Sequence, residues 1–214
     1  MLKIYGFSRV NKIARGNTRD LRVLWALEEM QQPFELVGLD HPAKDLNVEA
    51  FRALNQFEQL PVIDDDGLVS SESGAILLYL ARKTGRLIPS DPAGATQVER
   101  WCFTALNTVE MPLLNLQMID FGKQDKGTNA YRDFLMQWAM RHFGALDRWL
   151  DGREYIATGD FTVADILMSH VLTQTNDPAL FDPHPGVRDY RERCLARPAW
   201  RRTIERYCER VEAG

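Results

Sequence analysis

The chain has 214 residues, of which 45% are hydrophobic and 26% charged, the composition of an ordinary globular protein with room for one large domain or two small ones. Its net charge of -4 gives no reason to expect nucleic acid or an anionic membrane as a partner, and no apolar run approaches the ~20 residues that a membrane span requires. The three cysteines (Cys102, Cys194 and Cys208) lack CxxC spacing and the histidines are scattered, so neither a disulfide framework nor a metal is implied and a reducing cytoplasm is the expected location.

Met1 to Gly6 enters a strand pattern at once, without signal-peptide organisation, and Leu2 to Phe7 is predicted as the first strand. A loop rich in basic and small polar residues, Ser8 to Gly16, follows. Asn17 or Thr18 then caps a helix whose apolar face is Val23, Leu24, Leu27 and Met30, with Pro33 beyond its end. Phe34 to Leu39 reads as a second strand, parallel to the first. His41 to Ala53 is polar and predicts a short irregular helix.

Leu60, Val62 and Ile63 form a third strand and Leu68-Val69 a fourth, joined by the Asp66-Gly67 step that suits a tight hairpin. Pro61 has no N–H for a ladder and belongs at a strand start or an edge. Ser71-Glu72-Ser73 then opens the apolar run Ala75 to Ala81. Serine or glutamate there either caps a helix or leaves its N–H groups for an external anion, with the Glu72 carboxylate available to an ammonium group. The order β-α-β-α-β-β-α is the thioredoxin-like arrangement and should end near residue 84.

Leu87 to Pro92 carries two prolines and reads as a linker, so the expected organisation is 1–84, a linker over 85–92 and an all-helical domain over 93–214. Ala95 to Gly122 is helical in pattern, with a kink expected at Met111-Pro112. Tyr131 to Leu150 is a second long helix. Thr162 and Asp165 fit a capping box, with Phe161 and Ile166 at the hydrophobic-staple positions. The C-terminal arginines from Arg188 to Arg210 alternate with acids, and the i,i+4 order of Asp189–Arg193 suggests a solvated helix face.

Asn55, Leu60-Pro61-Val62-Ile63, the acidic hairpin and Glu72-Ser73 together resemble the glutathione-binding half of the cytosolic glutathione transferases, of the bacterial type, and the capping-box helix resembles the core helix of their C-terminal domains. The resemblance implies a thioredoxin-like α/β domain followed by an all-α domain. It implies glutathione as co-substrate, bound through Gln59, Leu60 (by its main chain, before a cis Pro61), Glu72 and Ser73. It also implies a homodimer and a small hydrophobic electrophile as the second substrate. That substrate should lie between the domains, where Thr104, Asn107 and Met111 share one helix face; plain core or dimer contact is the competing reading of those three. Thiol activation falls to Asn17 and Thr18 at the start of the first helix, with Ser8 as the competing hydroxyl.

Three departures from the family pattern stand out. The Ser8–Gly16 loop is longer than usual, Gln56 stands where proline is usual, and Glu58 stands where glycine is common. No cysteine precedes Cys102, which disfavours a cysteine-dependent mechanism. The expected activity is conjugation of glutathione thiolate to an electrophile. A glutathione-dependent peroxidase or disulfide reductase, and a non-enzymatic binding protein on the same fold, are the alternatives.

Overall fold

The computed structural model describes residues 1–122 and 126–213, which form two compact units: one of residues 1–86 with 197–214, the other of residues 87–196. In the first unit, β1 (Leu2–Val10) leads to α1 (Asp20–Met30) and β2 (Glu35–Asp40), followed by a 3₁₀ turn (Asp45–Asn47) and the short α2 (Glu49–Arg52). Then come β3 (Val62–Asp65), β4 (Leu68–Ser71) and α3 (Ser73–Thr84). The sheet order is β2-β1-β3-β4, with β1 parallel to β2 and antiparallel to β3. The element order is the thioredoxin-like one read from the sequence.

The local chemistry explains the turns. Asp66 and Gly67 both have positive φ, and the Gly67 N–H donates to Asp64 Oδ1 at 2.8 Å, a two-residue hairpin that an Asp-Gly pair tolerates. Helix α1 ends at Met30 because Gln31 turns left-handed, two residues before Pro33. On one face of the sheet Val62 and Leu60 join Leu46 and Phe51, with Tyr5, Phe7, Leu39 and Leu54 packed against them. Fully burying such a side chain contributes about 1.5–3 kcal/mol.

Strand β1 runs further than expected. It reaches Val10 and is irregular between Phe7 and Arg9 in its pairing with β2, so Ser8 lies in a bulged strand and the loop spans 11–19. Helix α1 starts later than expected. Arg19 occupies the cap position without a side-chain capping bond, and the Thr18 carbonyl accepts from Leu21 N–H, so neither Asn17 nor Thr18 fills the predicted N-cap position.

The C-terminal residues belong to this unit as well. Helix α10 (Pro198–Arg210) lies on α1, with Trp200 tilted against the fully buried Trp25 at 4.8 Å between ring centroids. Such a pair contributes about 0.5–1.5 kcal/mol beyond burial. Arg197 grips Glu29 through two nitrogens, and Arg202 and Arg206 both reach Glu28. A two-residue strand, Glu212–Ala213, then pairs parallel with Arg9 and Val10 of β1. Four arginines of the predicted solvated face, Arg197, Arg202, Arg206 and Arg210, therefore hold the C-terminal segment onto the sheet unit. Arg193 donates to the Glu154 carbonyl and Asp189 meets Arg188, so the expected Asp189–Arg193 pair is replaced.

The second unit is helical. Its elements are α4 (Pro92–Phe103), α5 (Glu110–Phe121), α6 (Lys126–Leu150), α7 (Val163–Val171), α8 (Pro178–Phe181) and α9 (Pro185–Leu195). Between α4 and α5, Thr104–Val109 forms a π-helical turn. Pro112 has no N–H and its ring crowds the carbonyl four residues back, so the chain widens there into i→i+5 spacing. The capping box forms as read: Thr162 N–H donates to Asp165 Oδ2 at 2.9 Å and Ala164 N–H to Thr162 Oγ1 at 3.3 Å. No described helix is long and apolar enough to cross a membrane.

Candidate functional site

The first unit brings two helix N-termini together at the C-terminal half of β1. Gly6 allows the approach, since a Cβ there would stand 2.9 Å from Asp20 Oδ2. That carboxylate oxygen accepts the Phe7 N–H at 3.0 Å and fixes the start of α1 against β1. Arg22, in the first turn of α1 and buried, donates through Nη1 to Ser73 Oγ at 3.2 Å, which ties α1 to the first residue of α3.

Glu72 and Ser73 stand at that second N-terminus. Glu72 holds the N-cap position with φ +68° and ψ 115° and is exposed; its side chain makes no capping bond. Ser73 is buried, its hydroxyl engaged by Arg22. Plain capping is thus not what Glu72 does. A non-glycine residue in this sparsely populated backbone region costs of order 1–3 kcal/mol and is a recurrent mark of functional sites. The N–H groups of the first turn and the buried guanidinium favour an anion, and the exposed carboxylate beside them favours a cation.

Leu60-Pro61 is a cis peptide. Leu60 and Pro61 are buried and precede Val62, which pairs with Tyr5 on one side and Ser71 on the other, so the Leu60 main chain lies past the end of both ladders. Asn55 shapes the approach. It is buried, accepts the Phe57 N–H at 3.0 Å and donates to the Gln59 carbonyl at 2.7 Å, leaving the Gln59 side chain exposed.

The three activation candidates separate. Ser8 is half-buried in the β1 bulge, its Cβ lying where a Cβ on Gly38 would come within 3.0 Å. Thr18 is buried, and its hydroxyl is engaged by Tyr207 Oη at 2.7 Å and by the Asp20 carboxylate. Asn17 is half-buried, its N–H closing a turn onto the Ala14 carbonyl. Around them lies a set of ionisable groups that sequence reasoning missed: the buried Asp20 and Tyr207 and the half-buried Arg210. Burial pushes the Asp20 carboxyl above the usual range, opposed by the Thr18 hydroxyl, the Phe7 N–H and the Arg210 charge. Burial and the Asp20 charge push the Tyr207 phenol up to about 12, so it is neutral at physiological pH. Burial lowers the Arg210 pKa, and its guanidinium donates to the Phe7 carbonyl. The only sequence signal for Asp20 and Arg22 was a charge just before, and another within, the otherwise apolar stretch from Leu21 to Leu27.

In the second unit, the Thr104 hydroxyl donates to the Arg100 carbonyl at 2.9 Å, while Asn107 and Met111 are exposed. The π turn between them breaks the α-helical spacing on which their shared face was read. Among the described residues no three His, Cys, Asp or Glu side chains gather as metal ligands. A depression of about 420 Å³ lined by Leu27, Gln31, Pro33, Phe34 and Arg206 lies at the other end of α1 and includes none of the candidate residues.

Residues 13–82 match the family model of the glutathione S-transferase N-terminal domain, and residues 111–198 match that of the C-terminal domain. The chain belongs to the glutathione S-transferase family. A glutathione S-transferase of Hyoscyamus muticus is 27% identical over 199 residues, covering 86% of this chain and 92% of its own. Glutathione S-transferase GstB of Escherichia coli is 26% identical over 203 residues, covering 89% and 95%. The glutathione transferase of Burkholderia graminis, solved with two glutathione molecules per subunit, superposes with TM-score 0.84 at 27% identity, covering 95% of this chain and 87% of that one. That of Pseudomonas putida, solved with one glutathione disulfide per subunit, gives 0.83 at 25%, covering 95% and 90%. The fold is that of the family: a thioredoxin-like domain and a helical domain.

Proposed function

We propose that the protein is a glutathione transferase that binds glutathione along the N-terminus of α3 and the Leu60-Pro61 segment. The observation that carries this is Glu72, exposed at the N-cap with a positive φ, beside a Ser73 backed by the buried Arg22. The γ-glutamyl carboxylate takes the α3 N–H groups and Ser73, and the ammonium takes Glu72. The cysteinyl main chain adds to the open edge at Leu60, as in strand addition. Gln59 faces the glycyl end.

Of the activation candidates, the geometry favours Asn17, because the Thr18 hydroxyl is engaged by Tyr207 and Asp20 and Ser8 sits inside β1. An amide stabilises the thiolate by donating a hydrogen bond and does not ionise. The α1 N-terminus adds to this stabilisation. The thiolate then attacks the electrophilic atom, the new bond forms at sulfur and the leaving group departs with the electron pair. Thr104, Asn107 and Met111 stay candidates for contacting the electrophile, and we propose a homodimer as the working assembly.

A second reading has its own support: the Burkholderia and Pseudomonas relatives hold two glutathiones or their disulfide. With no cysteine before Cys102, disulfide reduction here would run through glutathione itself. One glutathione thiolate attacks a disulfide sulfur and releases the other sulfur as thiolate; a second glutathione then resolves the mixed disulfide.

Calorimetric titration with glutathione tests the binding. Wild type should bind at millimolar ligand or below, and Glu72→Ala should bind about tenfold or more weakly, the loss of one charge-assisted hydrogen bond. Absence of wild-type binding would end the proposal. Steady-state rates with an aryl halide, a peroxide and a small disulfide then distinguish conjugation from reduction.

A further inference from the structure

We infer that Tyr207, carried by the C-terminal helix α10, is the positioning residue for the loop that presents Asn17; this rests on the glutathione-transferase reading above. The Tyr207 oxygen meets the residues on both sides of Asn17. It takes the Thr18 hydroxyl at 2.7 Å and lies at the Gly16 N–H. Tyr207 is 1% exposed, so this grip is shielded from competing water. The loop is pinned once more at Arg15, whose Nε donates to the Val211 carbonyl at 2.8 Å and whose Nη2 reaches the Cys208 carbonyl, satisfying carbonyls at the end of α10. On the strand side, Arg210 holds the Phe7 carbonyl while Asp20 holds the Phe7 N–H.

Residues 15, 16 and 18 are thus all fixed by the C-terminal segment, and Asn17 is set between them. A loop of this length without regular structure would otherwise leave its side chains free to wander, and a donor must be ordered before it meets a thiolate to be effective. Tyr207 does not touch the sulfur in this scheme. It works through the main chain at residues 16 and 18.

The test compares Tyr207→Phe with Arg202→Ala, which removes one of the two arginines that tie α10 to Glu28 and leaves Tyr207 in place. Three readouts are taken: melting temperature, amide hydrogen exchange at residues 16–18 without ligand, and the ultraviolet titration of bound glutathione thiolate. Both variants should melt earlier. Only Tyr207→Phe should speed exchange at residues 16–18 and raise the bound thiol pKa by about half to one unit, the size of one lost hydrogen bond. Its kcat should fall more than its glutathione affinity. If Tyr207→Phe melts earlier while exchange and thiol titration match wild type, Tyr207 is only packing and the inference is overturned. If Arg202→Ala raises the thiol pKa equally, general loosening of α10 is responsible and the inference again falls. Wild-type protein that binds glutathione without lowering its thiol pKa, or does not bind it, would overturn the underlying reading and this inference together.

Discussion

Removing the Asp165 carboxylate should be among the most destabilising single changes in the helical unit. Asp165 is fully buried and accepts four hydrogen bonds: from Ile156 N–H at 2.8 Å, Tyr190 Oη at 2.9 Å, Thr162 N–H at 2.9 Å and Thr162 Oγ1 at 3.0 Å. Burial pushes its carboxyl pKa up and the donors pull it down, so part of what they contribute is spent on desolvation. In Asp165→Ala, two main-chain N–H groups and a phenol lose their acceptor in a dry interior, each at about 1–3 kcal/mol, while the desolvation of the charge is recovered. The net expectation is about 3–5 kcal/mol. Thr162→Ala removes one donor and the 3.3 Å cap bond and should cost about 1 kcal/mol. Tyr190→Phe leaves the carboxylate three donors and should also cost about 1 kcal/mol. At about 2–4 °C per kcal/mol for a chain of this size, Asp165→Ala should melt near 10 °C below wild type and the other two within a few degrees. Urea unfolding followed by ellipticity gives the same order independently. Equal losses in Asp165→Ala and Thr162→Ala would show that the stranded donors find other partners and would refute the account.

Gly6→Ala should destabilise by about 1–3 kcal/mol, because its Cβ would press on Asp20 Oδ2 at 2.9 Å and on Leu36. A melting temperature equal to that of wild type would refute the close approach of α1 to β1. The Asp65 carboxyl is held below the usual range by hydrogen bonds from Lys83 and Tyr79. Its contribution is therefore present above the unfolded value near about 3.9 and lost as pH falls through the folded one. Asp65→Asn should lower the melting temperature at pH 7 and flatten its fall below about pH 4; an unaltered acid limb would refute the assignment.

Local signals made much of the fold legible. Alternation, the 3.6-residue period, Asp66-Gly67 and Pro61 gave the order of seven elements in the first unit, and Thr162/Asp165 gave the start of α7. What escaped was non-local. Thr18 looked like a cap because threonine caps helices, yet its hydroxyl is claimed by Tyr207, 189 residues away in sequence. The α10 arginines looked solvated because acids alternate with them nearby, yet their partners Glu28 and Glu29 lie on α1. Ala199, Trp200, Thr203 and Tyr207 are a buried stripe that periodicity can find, but no period names the surface it covers.

The departures from the family pattern at positions 56 and 58 weigh less against the site than they did in the sequence. Glycine is common at the second position for a reason visible here: Glu58 has φ +54°, a conformation costly for a side chain with a Cβ. This chain meets the cost locally. The Glu58 carboxylate is bound by Arg52 and Asn47, which hold its pKa down, and Arg52 also donates to the Asn47 carbonyl at 2.9 Å. Gln56 is exposed, and the turn that a proline would stiffen is instead set by Asn55 on Phe57 and Gln59. Both residues change how the 55–59 turn is held, and the turn leads to Leu60, which lies beyond the ladders of β3. A site judged by residue identity at 56 and 58 looks eroded. Judged by the backbone those residues deliver, Leu60 still stands outside the β3 ladders, the position from which the proposed glutathione binding starts.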